Sequence, residues 1–228
     1  MFIGHFGIGL ALKRADTTLS LGLLFIAVQL SDLIYGVNLL TGVEKVSITL
    51  TTNPLTSAQY IFFPYSHSLV ATLLLAALVA LVFLIVPFKS SSPKSKTALV
   101  MVSVMVIAVM SHFVLDVISH NPDMDLLGNG VYKIGLGLWN SQIADYIVEA
   151  LLLLTGLWFY LRATKAKDFG GKYGLPILSV VLLILNGANT FVLYPTNAEN
   201  LAVTMLGVYL VTIVVTFWLD RKRSAEKL

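Results

Sequence analysis

The sequence predicts an all-α fold. It reads as a polytopic integral membrane helix bundle of about six transmembrane helices plus a short buried N-terminal helix, in a single domain over residues 1–228. Three observations carry this. Apolar residues make up 57% of the chain and charged residues 12%, against roughly 45–50% and about 25% in a soluble domain. The mean hydropathy is +0.86, more apolar surface than one soluble core of this size absorbs. The cations gather in alternate loops, the pattern of a chain oriented by the positive-inside rule. Together these exclude a disordered chain, a coiled coil and a soluble enzyme. The chain has no cysteine, which excludes disulfide scaffolds, thiol nucleophiles and iron–sulfur clusters. Any metal site must therefore draw on His, Asp, Glu or backbone atoms.

The elements follow in order. Met1–Leu12 is apolar but too short to span a bilayer. It has neither a cationic n-region nor a small-residue cleavage site, so it reads as a short helix within the bundle or at the interface. Gly4, Gly7 and Gly9 follow no strand, so they suit close helix packing rather than nucleotide binding. Six apolar stretches then come at Thr18–Leu40, His67–Phe88, Thr97–His120, Ile143–Leu161, Leu175–Tyr194 and Leu201–Leu219. Each is near the roughly 20 residues that a 30 Å hydrocarbon core requires. Polar segments such as Ser90–Lys94, Asn121-Pro122-Asp123 and Pro195-Thr196-Asn197 separate them.

Placing the 13–17 loop in the cytoplasm puts the 89–96, 162–174 and 220–228 segments there too. Those regions hold 13 of the 15 Lys and Arg residues, leaving Lys45 and Lys133 on the other side. The C-terminus is then cytoplasmic and the 41–66, 121–142 and 195–200 loops face outward. The net charge of +3 and the pI near 9.0 are explained by these loops. Membrane lipid is the expected partner and nucleic acid is not.

The chemistry lies in the ionisable residues of the apolar segments. The histidines are His5, His67, His112 and His120. In Ser111-His112-Phe113-Val114-Leu115-Asp116-Val117-Ile118-Ser119-His120 the spacing i, i+4, i+8 drifts by only about 40° per step, so all three ionisable groups share one helix face. His112 and Asp116 are one turn apart and can chelate one ion. His120 lies about 12 Å from His112 along the axis and belongs to another layer. Asp145 and Glu149 repeat the i, i+4 pattern one span later. Asp32, Asp116, Asp145 and Glu149 all fall within spans that hold no Lys or Arg to pair with them. A carboxylate there costs about 2.5–3.5 kcal/mol on insertion scales. A metal ion is the simplest neutraliser of the set, with proton relay as the alternative.

The ordered motifs are Gly4-His5, Ser31-Asp32, Tyr65-Ser66-His67-Ser68 and Ser111-His112 followed by Asp116. They resemble those of a bacterial inner-membrane family described as membrane-bound metal-dependent hydrolases. The resemblance covers about the first 125 residues. It departs at Asp32, where the family has a doubled acid, and at Pro64-Tyr65, where it has Arg-Gly. That family is itself similar to the zinc-dependent phospholipase C and P1 nuclease superfamily. The resemblance implies zinc, as one to three ions. Asp32, His67, His112 and Asp116 would hold the first ion. Asp116 would bridge to a second that His5 shares, and His120 with Glu149 or Asp145 would form any third site.

The leading expectation is thus an integral membrane metal-dependent hydrolase that activates water against a lipid-linked phosphoester near the outer face of a bacterial inner membrane. In it His120, Asp145 and Glu149 serve catalysis rather than first-site ligation. The alternatives are a metal or proton transporter using the same cluster and a non-catalytic membrane protein with a structural metal.

Overall fold

The computed structural model describes residues 1–49, 51–86 and 96–225. Most of the cationic 89–96 segment and Lys227 lie outside the described residues. The chain is mostly helical. Among the described residues, four helices are long and apolar enough to cross a membrane, so the protein is a membrane helix bundle. They are α6 (Lys96–Ser119, apolar from Ala98), α7 (Gln142–Ala163), α8 (Phe169–Phe191) and α9 (Ala198–Arg221).

The other two expected spans take different forms. Thr18–Leu40 becomes two helices, α2 (Leu21–Val28) and α3 (Leu30–Thr41), bent by 56° at Gln29 and counting as a fifth span if taken together. His67–Phe88 begins with a short turn, α4 (Pro64–His67), and then breaks at Ser68. The break leaves α5 (Leu69–Ile85) with 17 residues, or ~26 Å at 1.5 Å per residue. That is just short of the ~30 Å core, so the described residues show four or five full-length spans, with this shorter apolar helix in the place of the sixth. Ser68 causes the break: its backbone is extended and its side chain accepts from Ala71 N as the N-cap of α5.

The N-terminal segment, α1 (Ile3–Leu12), is packed inside the bundle. Ile3, His5 and Phe6 are fully buried. Its neighbours are α7, α2 and α6. Glycines allow the approach to α7: a Cβ on Gly156 would lie 2.0 Å from the Gly7 carbonyl oxygen, and one on Gly7 would lie 2.4 Å from that of Leu152. Backbone thus meets backbone, which is the use of small residues in membrane bundles.

Short strands finish the two ends. At one end β1 (Lys45–Ile48) pairs antiparallel with β2 (Ala58–Phe62), and β3 (Met124–Asp125) pairs with β4 (Lys133–Ile134). Asn53 donates to the Trp139 carbonyl at 2.7 Å and joins these loops. At the other end β5 (Thr164–Ala166) pairs with β6 (Arg223–Ala225). There Lys13 binds Asp220 at 2.9 Å, and Arg223 donates to Thr164 and to the Gly171 carbonyl. The cation-rich 13–17, 162–174 and 220–225 segments therefore share one end of the bundle.

Candidate metal centre

The break at Gln29 builds the first part of the site. A helix end leaves its last carbonyls without intrahelical partners, and that of Val28 accepts from His112 Nδ1 at 2.7 Å. A carbonyl only accepts, so His112 Nδ1 carries a proton, and in the neutral ring Nε2 presents a lone pair. His67 is held in the same way by a different device. Ser66 Oγ donates its one proton to Glu44 Oε2 at 2.7 Å. It therefore accepts from His67 Nδ1, also at 2.7 Å. Glu44 is itself fixed by the backbone N–H groups of Tyr65 and Ser66 and by the Asn38 amide.

Both imidazoles thus aim Nε2 lone pairs at one point, 3.4 Å apart. Two carboxylates meet them there. Asp116 Oδ2 lies 2.9 Å from His112 Nε2 and 3.5 Å from His67 Nε2. Asp32 Oδ1 lies 3.2 Å from His67 Nε2 and 3.7 Å from His112 Nε2. Asp32 Oδ2 accepts from Tyr209 at 2.9 Å, which orients that carboxylate from α9. All four side chains are buried.

Bare nitrogen lone pairs and carboxylate oxygens repel one another at these distances, so a proton or a metal cation must lie between them. The mixed N/O donor set, with the Nδ1 protons of His67 and His112 committed away from the centre, can hold a divalent transition metal. Two overlapping groups have ligand atoms close enough for one ion, Asp32–His67–His112 and His5–His112–Asp116.

His5 forms the second group. Its ring stacks on that of His112 with centroids 4.0 Å apart. Its Nε2 lies 3.1 Å from Asp116 Oδ1, the oxygen turned away from His67. The Met1 amino nitrogen lies 2.6 Å from the same oxygen. Asp116 therefore faces both groups, one oxygen to each. His5 Nδ1 has no hydrogen-bond partner among the described residues, so its proton is not committed as those of His67 and His112 are.

The three residues expected in an outer layer separate. His120 lies just beyond α6, its Nδ1 2.9 Å from Asp123 Oδ1 and its ring packed on Trp139 at 4.1 Å. Burial pushes its pKa down against the opposing pull of Asp123. Glu149 accepts from the backbone N–H groups of Phe2 and Gly4, each at 2.9 Å, and so caps the start of α1. Asp145 is fully buried and makes no hydrogen bond among the described residues. The structure thus brings neither acid into a group with His120. The backbone of α1 holds the Glu149 oxygens, and the partner of His120 is the loop residue Asp123.

A cavity of about 440 Å³ joins the cluster to the flank of the bundle. Asp32, His67, Asp116, His120 and Glu149 line one part of it, and Leu185, Leu193, Leu201, Met205 and Val208 of the α8–α9 hairpin line another. Leu185 and Leu193 are also partly exposed on the outer surface.

Sequence reasoning missed Glu44, Val28, Tyr209 and Asp123. Comparison with protein-family models, curated proteins and solved structures finds no match for this chain.

Proposed function

We propose that this chain is an integral membrane metal-dependent hydrolase acting on a lipid-linked phosphoester. The observation that carries the proposal is the convergence of the His67 and His112 Nε2 lone pairs with Asp32 and Asp116 at the wall of a cavity with an apolar flank. Asp32, His67, His112 and Asp116 would hold one ion, and His5 with the second oxygen of Asp116 would hold another. Bound there, zinc supplies Lewis acidity and activates water near neutral pH.

The protein's own groups do the rest. Ser66–Glu44 and the Val28 carbonyl keep both imidazoles in the ligating tautomer, and Tyr209 orients Asp32. His120, with Nδ1 committed to Asp123, has Nε2 left to hold or deliver a proton at the leaving oxygen. Leu185, Leu193, Leu201 and Met205 exclude water and seat the hydrocarbon part of an amphiphile. Of the three residues expected to serve catalysis, His120 keeps that role. Glu149 becomes a support for α1, and Asp145 lies outside the cavity lining.

The cation-rich end of the bundle belongs in the cytoplasm by the positive-inside rule. That orientation sets the cluster toward the outer face of a bacterial inner membrane.

Elemental analysis of the purified, detergent-solubilised protein tests the reading, wild type beside Asp116→Ala, together with phosphoester hydrolysis in mixed micelles. Stoichiometric zinc in the wild type, its loss in Asp116→Ala and parallel loss of hydrolysis are expected. Folded wild-type protein without metal would overturn the site. Bound metal with flux into liposomes and no hydrolysis would make the chain a transporter.

A further inference from the structure

We infer that α7 and α8 enclose a second cation site, separate from the histidine cluster, built on Asp145, Asn186 and Thr190 and suited to sodium. Gln142, Asp145, Tyr146 and Glu149 stand at i, i+3, i+4 and i+7 on α7, and Leu183, Asn186, Gly187 and Thr190 stand at the same intervals on α8. Each set therefore forms one helix face. Contacts put the two faces together in antiparallel register. Gln142 Nε2 donates to the Thr190 carbonyl at 2.6 Å, and Tyr146 donates to the Leu183 carbonyl at 3.5 Å. A Cβ on Gly187 would lie 3.5 Å from the Tyr146 ring. This register sets Asp145 opposite Asn186, with Thr190 beside them.

All three side chains are completely buried. Yet both Asp145 oxygens, both polar atoms of the Asn186 amide and Thr190 Oγ1 have no hydrogen-bond partner among the described residues. Buried polar groups are normally paired, and an unpaired one carries its full desolvation cost. A carboxylate in direct contact with an amide would accept its proton. None of these groups pairs with another, so four buried oxygens on the two facing helices lack a partner that a shared cation would supply.

The donors define that occupant. Asp145, Asn186 and Thr190 offer oxygen and no imidazole or thiolate, which selects a hard cation over a transition metal. One formal negative charge balances one positive charge, so a monovalent ion leaves the site neutral and a divalent ion does not. Glu149, the nearest further acid on α7, is occupied by the Phe2 and Gly4 amides. Asp145 is absent from the lining of the main cavity, so the site is not an arm of the histidine cluster.

Thermal unfolding of the full-length protein in detergent tests the inference, with sodium chloride titrated against N-methylglucamine chloride at constant ionic strength. A ligand that binds the folded state raises the melting temperature with its concentration. A sodium-dependent rise is expected in the wild type and also in zinc-free Asp116→Ala, which makes the result independent of the hydrolase reading. Asp145→Asn should lose the sodium dependence while keeping its zinc. Thr190→Val, the milder change, should shift the sodium midpoint roughly tenfold upward. If Asp145→Asn fails to fold, the wild-type titration and Thr190→Val still decide. A wild-type melting temperature indifferent to sodium would overturn the inference. So would an Asp145→Asn variant that is more stable at every salt composition, since Asp145 would then be a protonated carboxyl group.

Discussion

Replacing Glu44 with Gln changes one oxygen for an NH₂ group in a carboxylate that touches no ligand position, and the structure predicts that it weakens metal binding. Glu44 Oε1 accepts from the backbone N–H groups of Tyr65 and Ser66, and Oε2 accepts from Ser66 Oγ and Asn38. The two backbone donors cannot turn away, so the single carbonyl of the substituted side chain must face them. The new NH₂ group then points at Ser66 Oγ and donates to it. Ser66 Oγ next turns its own proton toward His67 Nδ1, and the imidazole proton moves to Nε2. That proton would project into the cluster from an Nε2 that lies 3.2 Å from Asp32 Oδ1 and 3.4 Å from His112 Nε2. Ligation then requires the imidazole to change tautomer against its hydrogen bonds. Loss of such outer partners lowers metal affinity about 10–100-fold, or ~1.4 to ~2.7 kcal/mol. Chelator competition for zinc on the solubilised protein measures this. Ser66→Ala should fall in the same range, because it leaves the His67 Nδ1 proton without its acceptor. Zinc affinity within about threefold of wild type in Glu44→Gln would refute the tautomer argument, provided Asp116→Ala abolishes binding in the same assay.

Two further predictions test the frame around the site. Gly156→Ala would place a methyl group 2.0 Å from the Gly7 carbonyl, so α1 must move and carry His5 with it. A loss of about 1–3 kcal/mol and a drop in bound metal are expected by thermal unfolding and elemental analysis, and an unchanged melting temperature would count against this helix contact. For sidedness, cysteines at Asn129 and Lys172, both exposed positions, are treated with an impermeant maleimide on intact cells. Labelling of Asn129→Cys with protection of Lys172→Cys is expected, and the reverse would move the cluster to the cytoplasmic side.

The ligand residues were legible because each is an anomaly in its setting. Asp32, His67, His112 and Asp116 are ionisable groups inside apolar runs, where any such group is costly. The i, i+4 spacing of His112 and Asp116 survives in the structure as a 2.9 Å contact. The groups that support them were not legible, because each is ordinary where it stands. Glu44 lies in an outward loop where an acid calls for no explanation. Tyr209 stands in the middle of the apolar Leu201–Leu219 stretch, with no spacing that ties it to Asp32. The Val28 carbonyl has no side-chain signature, and the bend that frees it falls at Gln29, with neither Pro nor Gly to announce it. The break at Ser68 was equally silent, since it interrupts the helix through hydrogen bonding rather than through polarity.

The two ends of the bundle handle buried acid in opposite ways, and the contrast bears on function. At the cation-rich end Asp220 is saturated by Lys13, Tyr160 and the Leu21 N–H group, and Arg223 is satisfied by Thr164 and Gly171. A closed network of that kind holds helices together and has no capacity for a ligand. At the other end Lys45 and Lys133 are exposed and neutralise none of the buried acids. Asp32 and Asp116 meet imidazoles whose Nδ1 protons are drawn outward by Val28 and Ser66, with the Met1 amino group also on Asp116 and Tyr209 on Asp32. The outer hydrogen bonds turn the Nε2 atoms of His67 and His112 inward and hold them there before anything binds. Such preorganisation lowers the cost of ordering the ligands when an ion arrives. The proposed metal centre would draw on that economy.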